Sequence, residues 1–155
     1  MSLYKTLLAL PLLAACGFTP VYGPQGAGTA LQGRVLVETP DTRDDQLMLQ
    51  QIERRLDRAA DPAFNLGIDL IVTQEGLAID SDGDIDRYNL LGTATYILTN
   101  ASNGAIVGTG TVTNFTGYSA TGTTVATLAA ERDARKRLMT TLGDMVVDRL
   151  LATKL

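Results

Sequence analysis

The chain has 155 residues, 45% of them hydrophobic and 19% charged, with a formal charge of −4, one cysteine and no histidine. The acidic balance argues against a general nucleic-acid binder, which needs a basic footprint. The missing histidine removes the commonest general base and metal ligand, and a single thiol allows neither an internal disulfide nor a thiolate metal cluster, so no enzymatic constellation is expected.

Residues 1–17 (MSLYKTLLALPLLAACG) open with basic Lys5, continue as an apolar run from Leu7 to Ala15 broken only by Pro11, and stop at Cys16. A positive start, a short apolar middle and small residues at the cut mark an export signal. The run falls short of the roughly 20 apolar residues that span a bilayer. The ending Leu13-Ala14-Ala15-Cys16 resembles the lipobox of bacterial lipoproteins, in which the thiol receives a diacylglycerol, the signal is cut before it and the new amino end is acylated. Residues 1–15 are thus the expected signal peptide and Cys16 the expected lipid-attachment residue; a buried or incidental cysteine is the plainer alternative. One acyl chain would hold a membrane weakly, two or more stably.

Residues 16–33 hold Gly17, Gly23, Gly26, Gly28, Gly33, Pro20 and Pro24 with little apolar periodicity, and are expected to form an extended tether. Phe18, Val21 and Tyr22 are its apolar exceptions, suited to a membrane surface, the domain or a partner. A single domain is expected over residues 34–155. RVLVET, ended by Pro40, reads as a first strand. Asp41 and Thr42 offer a helix start, with Asp44 and Asp45 in the first turn. Met48, Ile52, Leu56 and Ala59 then recur at helical spacing, ending at Asp61-Pro62.

Leu66, Ile68, Leu70 and Val72 alternate with polar residues, interrupted by Ile71, and the strand pattern runs on to Ile79. After an acidic turn, Tyr88, Leu90, Ala94, Tyr96 and Leu98 share one strand face. Asn103-Gly104 predicts a hairpin into a Val- and Thr-rich strand over residues 105–118, where Gly108 and Gly110 suggest a bulge or a close approach. Leu128, Ala134 or Arg135, Leu138, Leu142, Met145, Val146, Arg149 and Leu150 trace a long final helix. The order β-α-β-β-β-α predicts an α+β two-layer sandwich: a four-stranded, mostly antiparallel sheet with both helices on one face.

The acidic turn over residues 80–86 (DSDGDID) superficially suggests calcium. An EF-hand starting at Asp80 would need glycine at its sixth position and glutamate at its twelfth, which hold Ile85 and Leu91. A solvated turn is the plainer reading. Two basic groups are candidates for phosphate groups on a glycolipid or membrane surface: Arg54, Arg55 and Arg58, and Arg132, Arg135, Lys136 and Arg137. Arg87, opening a strand beside the acidic turn, is a third. The alternative is a solvated helix surface paired with Glu53, Asp57, Glu131 and Asp133. Tyr88, Tyr96 and Tyr118 suit packing better than a ligand platform.

Directly after the lipobox, residues 16–23 (CGFTPVYG) resemble the start of the mature LPS-assembly lipoprotein LptE family. So does the pattern that follows: strand, helix, a strand opened by Arg87-Tyr88, a hairpin partner and a long C-terminal helix. The resemblance implies a non-enzymatic outer-membrane lipoprotein. Such a subunit sits as a plug in the large LptD β-barrel and helps insert lipopolysaccharide into the outer leaflet; family members are also described as binding lipopolysaccharide. Only Cys16 transfers as a matched position, and no cofactor beyond its covalent lipid is implied. Threonine-rich strand faces suit a polar barrel interior, and Gly17 after the cysteine fits outer-membrane sorting. Two alternatives stand beside this. An auxiliary lipoprotein of a periplasmic transport system, binding a lipid or small ligand, would show a deep apolar groove between helices and sheet. A calcium-dependent enzyme or binding module would use the acidic turn.

Overall fold

The computed structural model describes residues 21–23, 26–79 and 85–153. The expected signal segment, Cys16 and residues 80–84 of the acidic turn lie outside them. In chain order the elements are α1 (Ala27–Leu31), β1 (Val35–Val37), α2 (Arg43–Leu56), β2 (Phe64–Ile79), β3 (Ile85–Asn100), β4 (Ile106–Ser119) and α3 (Thr124–Leu151).

Helix α1 falls in the stretch expected to be an extended tether. Its glycine content hid it: Gly28 donates its amide to the Val21 carbonyl at 2.9 Å, and the Tyr22 ring occupies the space a Cβ at residue 28 would need. Leu31 is fully buried, so core packing begins ahead of residue 34.

Helix α2 starts as its sequence dictates. Thr42 accepts from the Asp45 amide at 3.2 Å, and Asp45 accepts from the Thr42 amide at 2.9 Å, which satisfies two amides that a helix start leaves unpaired. Met48, Gln51, Ile52 and Leu56 form its buried stripe. Expectation and structure part at its end. Asp57 adopts a positive φ of 59°, and the Gly33 amide bonds the Leu56 carbonyl at 2.6 Å. The helix therefore stops before Ala59.

The sheet order is β1-β2-β3-β4. Because α2 carries the chain back across the sheet, β1 joins β2 in parallel, over Val35↔Phe64 to Val37↔Leu66. The other pairings are antiparallel. The sheet is thus mixed, with three helices among the described residues. Gly104 closes the expected β3–β4 hairpin at φ +69°, and the register slips between Leu98 and Thr99, beside Gly108. Gly110 leaves room for the Tyr96 phenol, which lies 2.7 Å from where a Cβ would stand.

Leu66, Leu90, Ala94, Leu98 and Val112 present one side of the sheet to α2 and α3, where Leu138, Met139, Leu142 and Val146 complete the core. Fully burying each such side chain contributes about 1.5–3 kcal/mol. Two glycines set the spacing. A Cβ on Gly92 would stand 2.7 Å from Leu142, and one on Gly143 would stand 3.0 Å from the Gln51 side chain. So α3 lies close against β3, and α2 close against α3. The α3 stripe is wider than expected, taking in Met139, Gly143 and Val147, because the helix faces both sheet and α2. Leu128 and Arg149, expected on the stripe, are exposed. No helix among the described residues is long and apolar enough to cross a membrane.

Gly92→Val should lower stability by about 1–3 kcal/mol through overpacking against Leu142 and Leu138. A drop in the urea midpoint with an unchanged slope checks this.

Candidate functional site

The two long helices run side by side in the same direction, since their cross-links ascend together: Asp44 with Arg135, Gln51 with Asp144, Arg55 with Asp148. This pairing decides which of the candidate cations are available. Arg55 turns along the helix interface and donates to Asp144 and Asp148, each at 2.8 Å. The bonds to Asp148 and then Asp144 raise its pKa further, so it stays charged. Arg135 bridges Glu131 at 3.0 Å and Asp44 at 2.8 Å. Burial works against its charge, and the two carboxylate partners outweigh that cost. Arg137 pairs with Asp133 and reaches the Gly117 carbonyl at 3.3 Å.

Arg58 grips Glu53 with two bonds, at 3.1 and 2.9 Å. Asp57, expected to face a cation, accepts instead from Gln32 at 2.7 Å. Among the described residues, Arg54, Arg87, Arg132 and Lys136 form no ion pair, and all four are exposed.

Arg54 and Lys136 meet across the helices. With Leu47, Gln50, Glu53, Arg58 and Thr140 they line an open groove of about 450 Å³. Glu53 is already answered by Arg58, so the groove keeps the charge of Arg54 and Lys136 for an anion. Arg87 and Arg132 do not line it. The sequence marked the cations but not the sorting. Its one usable signal was Gln51, a polar residue on the apolar stripe of α2, which bonds Asp144 at 2.7 Å and fixes the helix register.

The tyrosines pack. Tyr88 and Tyr118 stack with centroids 5.4 Å apart. Tyr96 and Tyr118 are buried, and desolvation raises the pKa of both phenols. A crevice between sheet and α2, lined in part by Val37, Met48, Leu49 and Ile68, holds about 80 Å³. Ligand pockets run to about 300–1,000 Å³. Among the described residues no cluster of His, Cys, Asp and Glu is arranged to hold a metal.

Asp144→Ala leaves Gln51 without its partner and Arg55 with Asp148 alone. It should cost about 1–2 kcal/mol, the low end reflecting the partial exposure of the pair. Chemical denaturation of the variant beside Arg55→Met measures it, and the double variant should lose less than the sum.

Several solved structures share this fold. A candidate lipoprotein from Caulobacter crescentus CB15 is 19% identical, with a TM-score of 0.69, covering 81% of this chain and 93% of its own. The minor lipoprotein of Acinetobacter baumannii is 15% identical, with a TM-score of 0.62 and coverage of 77% and 91%. The rare lipoprotein B of Shewanella oneidensis is 11% identical, with a TM-score of 0.58 and coverage of 77% and 92%. At these identities the likeness concerns the fold alone. No protein of curated function matches the sequence. The family model for LptE, lipopolysaccharide-assembly, matches residues 33–150, which take in the sheet and both long helices. The chain belongs to the LptE family of lipopolysaccharide-assembly proteins.

Proposed function

We propose that this chain is an outer-membrane lipoprotein, anchored through a lipidated Cys16, that serves as the non-catalytic plug subunit of an LptD-type β-barrel and supports lipopolysaccharide insertion into the outer leaflet. The family match over residues 33–150 carries this reading. Three features of the chain support it. The interface between helices and sheet is packed, and its small crevice favours a plug over a carrier of lipid or small ligands. The uncovered side of the sheet carries paired threonine hydroxyls, compatible with a polar barrel lumen. The groove holding Arg54 and Lys136 is suited to phosphate groups of lipopolysaccharide, because guanidinium and ammonium groups bind such oxygens by charge-assisted hydrogen bonds. Arg55, Arg135 and Arg137 are structural in this scheme, since their charges are spent on carboxylates of the same chain.

Affinity purification of the full-length lipidated chain from membranes should retain an LptD-type barrel; consistent recovery without one sinks the proposal. Cys16→Ala should abolish the acyl mass on the mature protein and its membrane fractionation, while leaving the thermal midpoint unchanged. An unacylated Cys16 in the mature wild-type protein refutes the anchor. Arg54→Glu with Lys136→Glu should weaken binding to purified lipopolysaccharide by about tenfold or more, the effect of losing about 1.4 kcal/mol. Arg132→Glu, outside the groove, should leave binding near wild type.

A further inference from the structure

Strand β1 forms one edge of the sheet, and its side chains divide by position. Val35 is buried and Val37 half-buried against the helices, so Arg34, Leu36 and Glu38 stand on the open side of the sheet. All three are exposed, Leu36 by 49%. Arg34 and Glu38 form no ion pair among the described residues. The backbone alternates with the same period. The Arg34 carbonyl accepts from the Phe64 amide at 3.1 Å, and the Glu38 amide donates to the Leu66 carbonyl at 3.0 Å. Alternate residues of a strand bond the same neighbour, so Val35 and Val37 aim their N–H and C=O groups away from β2. Among the described residues those outward groups have no backbone partner.

Basic, apolar and acidic at alternate positions is a self-complementary order, the kind a two-fold axis demands. An antiparallel copy laid along this edge, with the axis at Leu36, sets each Arg34 opposite Glu38 of the second copy. Leu36 then faces its counterpart across the axis. The same register sets Val35 opposite Val37 of the second copy as hydrogen-bonded pairs, which answers every outward group of the two valines. A shift of two residues either way loses both ion pairs. Glu38 lies over Gly67, its carboxylate 3.2 Å from where a Cβ would stand. The open groove of about 410 Å³ there, lined also by Asp69 and Thr95, gives the longer arginine room to reach it. Gly33, at φ +65°, and Pro40, which lacks an N–H, bracket the segment and confine the pairing to it.

We infer that the outer edge of β1 docks a second copy of this chain, joined antiparallel into a symmetric dimer with one sheet running through both copies. So short a strand buries far less than the roughly 800 Å² per partner of a stable interface. The dimer is therefore a weak one that forms as concentration rises. This pairing goes beyond the barrel partnership proposed above and does not rest on it.

The test uses the full-length lipidated chain purified in detergent. Sedimentation equilibrium over a concentration series should show monomer passing into dimer. Arg34→Glu and Glu38→Arg should each weaken the dimer about tenfold, since each sets two like-charge pairs face to face. The double variant, and an equimolar mixture of the two single variants, should restore it. Both side chains are exposed, so the thermal midpoint of the dilute protein should hold. Leu36→Cys should form a disulfide-linked dimer on mild oxidation, beyond the wild-type level. Residues facing each other in such a pair stand about 4.5 Å apart at Cα, within the range of about 4.4–6.8 Å that a disulfide spans. Thr113→Cys, exposed on β4, should stay unlinked. A wild-type chain that stays monomeric throughout the series overturns the inference, as does a double variant that dimerises no better than the single ones. Equal linking of Leu36→Cys and Thr113→Cys overturns it too. None of these outcomes bears on barrel retention, so the functional proposal stands or falls separately.

Discussion

At Gly92 the lack of a side chain brings Leu142 and Leu138 of α3 down onto the middle of β3. With α3 fixed there, Gly143 on its upper side admits α2 at equally short range, and the same helix contributes to both contacts. A 28-residue helix lying close along the strands buries enough leucine, methionine and valine to hold the chain without disulfide or metal. The ion pairs between the helices come second in energy. They are partly exposed, so each contributes modestly, but they select one longitudinal register from the several that apolar stripes alone would tolerate.

Much of this was legible in the sequence where periodicity carries it. The alternation through Tyr88, Leu90, Ala94, Tyr96 and Leu98 identifies the packed side of β3 without ambiguity, and Asn103-Gly104 places its hairpin. What was not legible depends on distant partners. Helix α1 is 5 residues long, too short to show a stripe, and only the burial of Leu31 reveals its purpose. The end of α2 is set by the Asp57 backbone and by Gly33, which no local propensity announces. Leu128 fits the helical period of α3, yet falls beyond the reach of the sheet.

The candidate site shows the same division more sharply. Eight cations stood out by position, and the fold sorted them by whether a carboxylate of the same helix or its neighbour could reach. Arg55 and Arg135 were claimed by α3 and α2 respectively; Arg54 and Lys136, one step around each helix, were not. A difference of about 100° in helical angle therefore separates a cation that holds the fold from one that faces an anion. The molecule ends with two unlike sides: a helix side carrying unmatched positive charge, and a sheet side carrying threonine, a few apolar groups and unmatched negative charge.

The shortness of β1 has a consequence for the chain on its own. It pairs with β2 only as far as Leu66, so the rest of that edge of β2 has no strand partner among the described residues, and β4 presents a second free edge opposite. A molecule with two unlike open edges is not limited to dimers: edge joined to edge repeats head to tail and need not close. Asp69 and Glu75 on β2, and the register slip after Gly76, work against that growth by placing charge and irregularity along the exposed ladder. Without that charge and irregularity, the edges of the domain alone would invite open-ended polymerisation, the failure characteristic of an unfinished sheet.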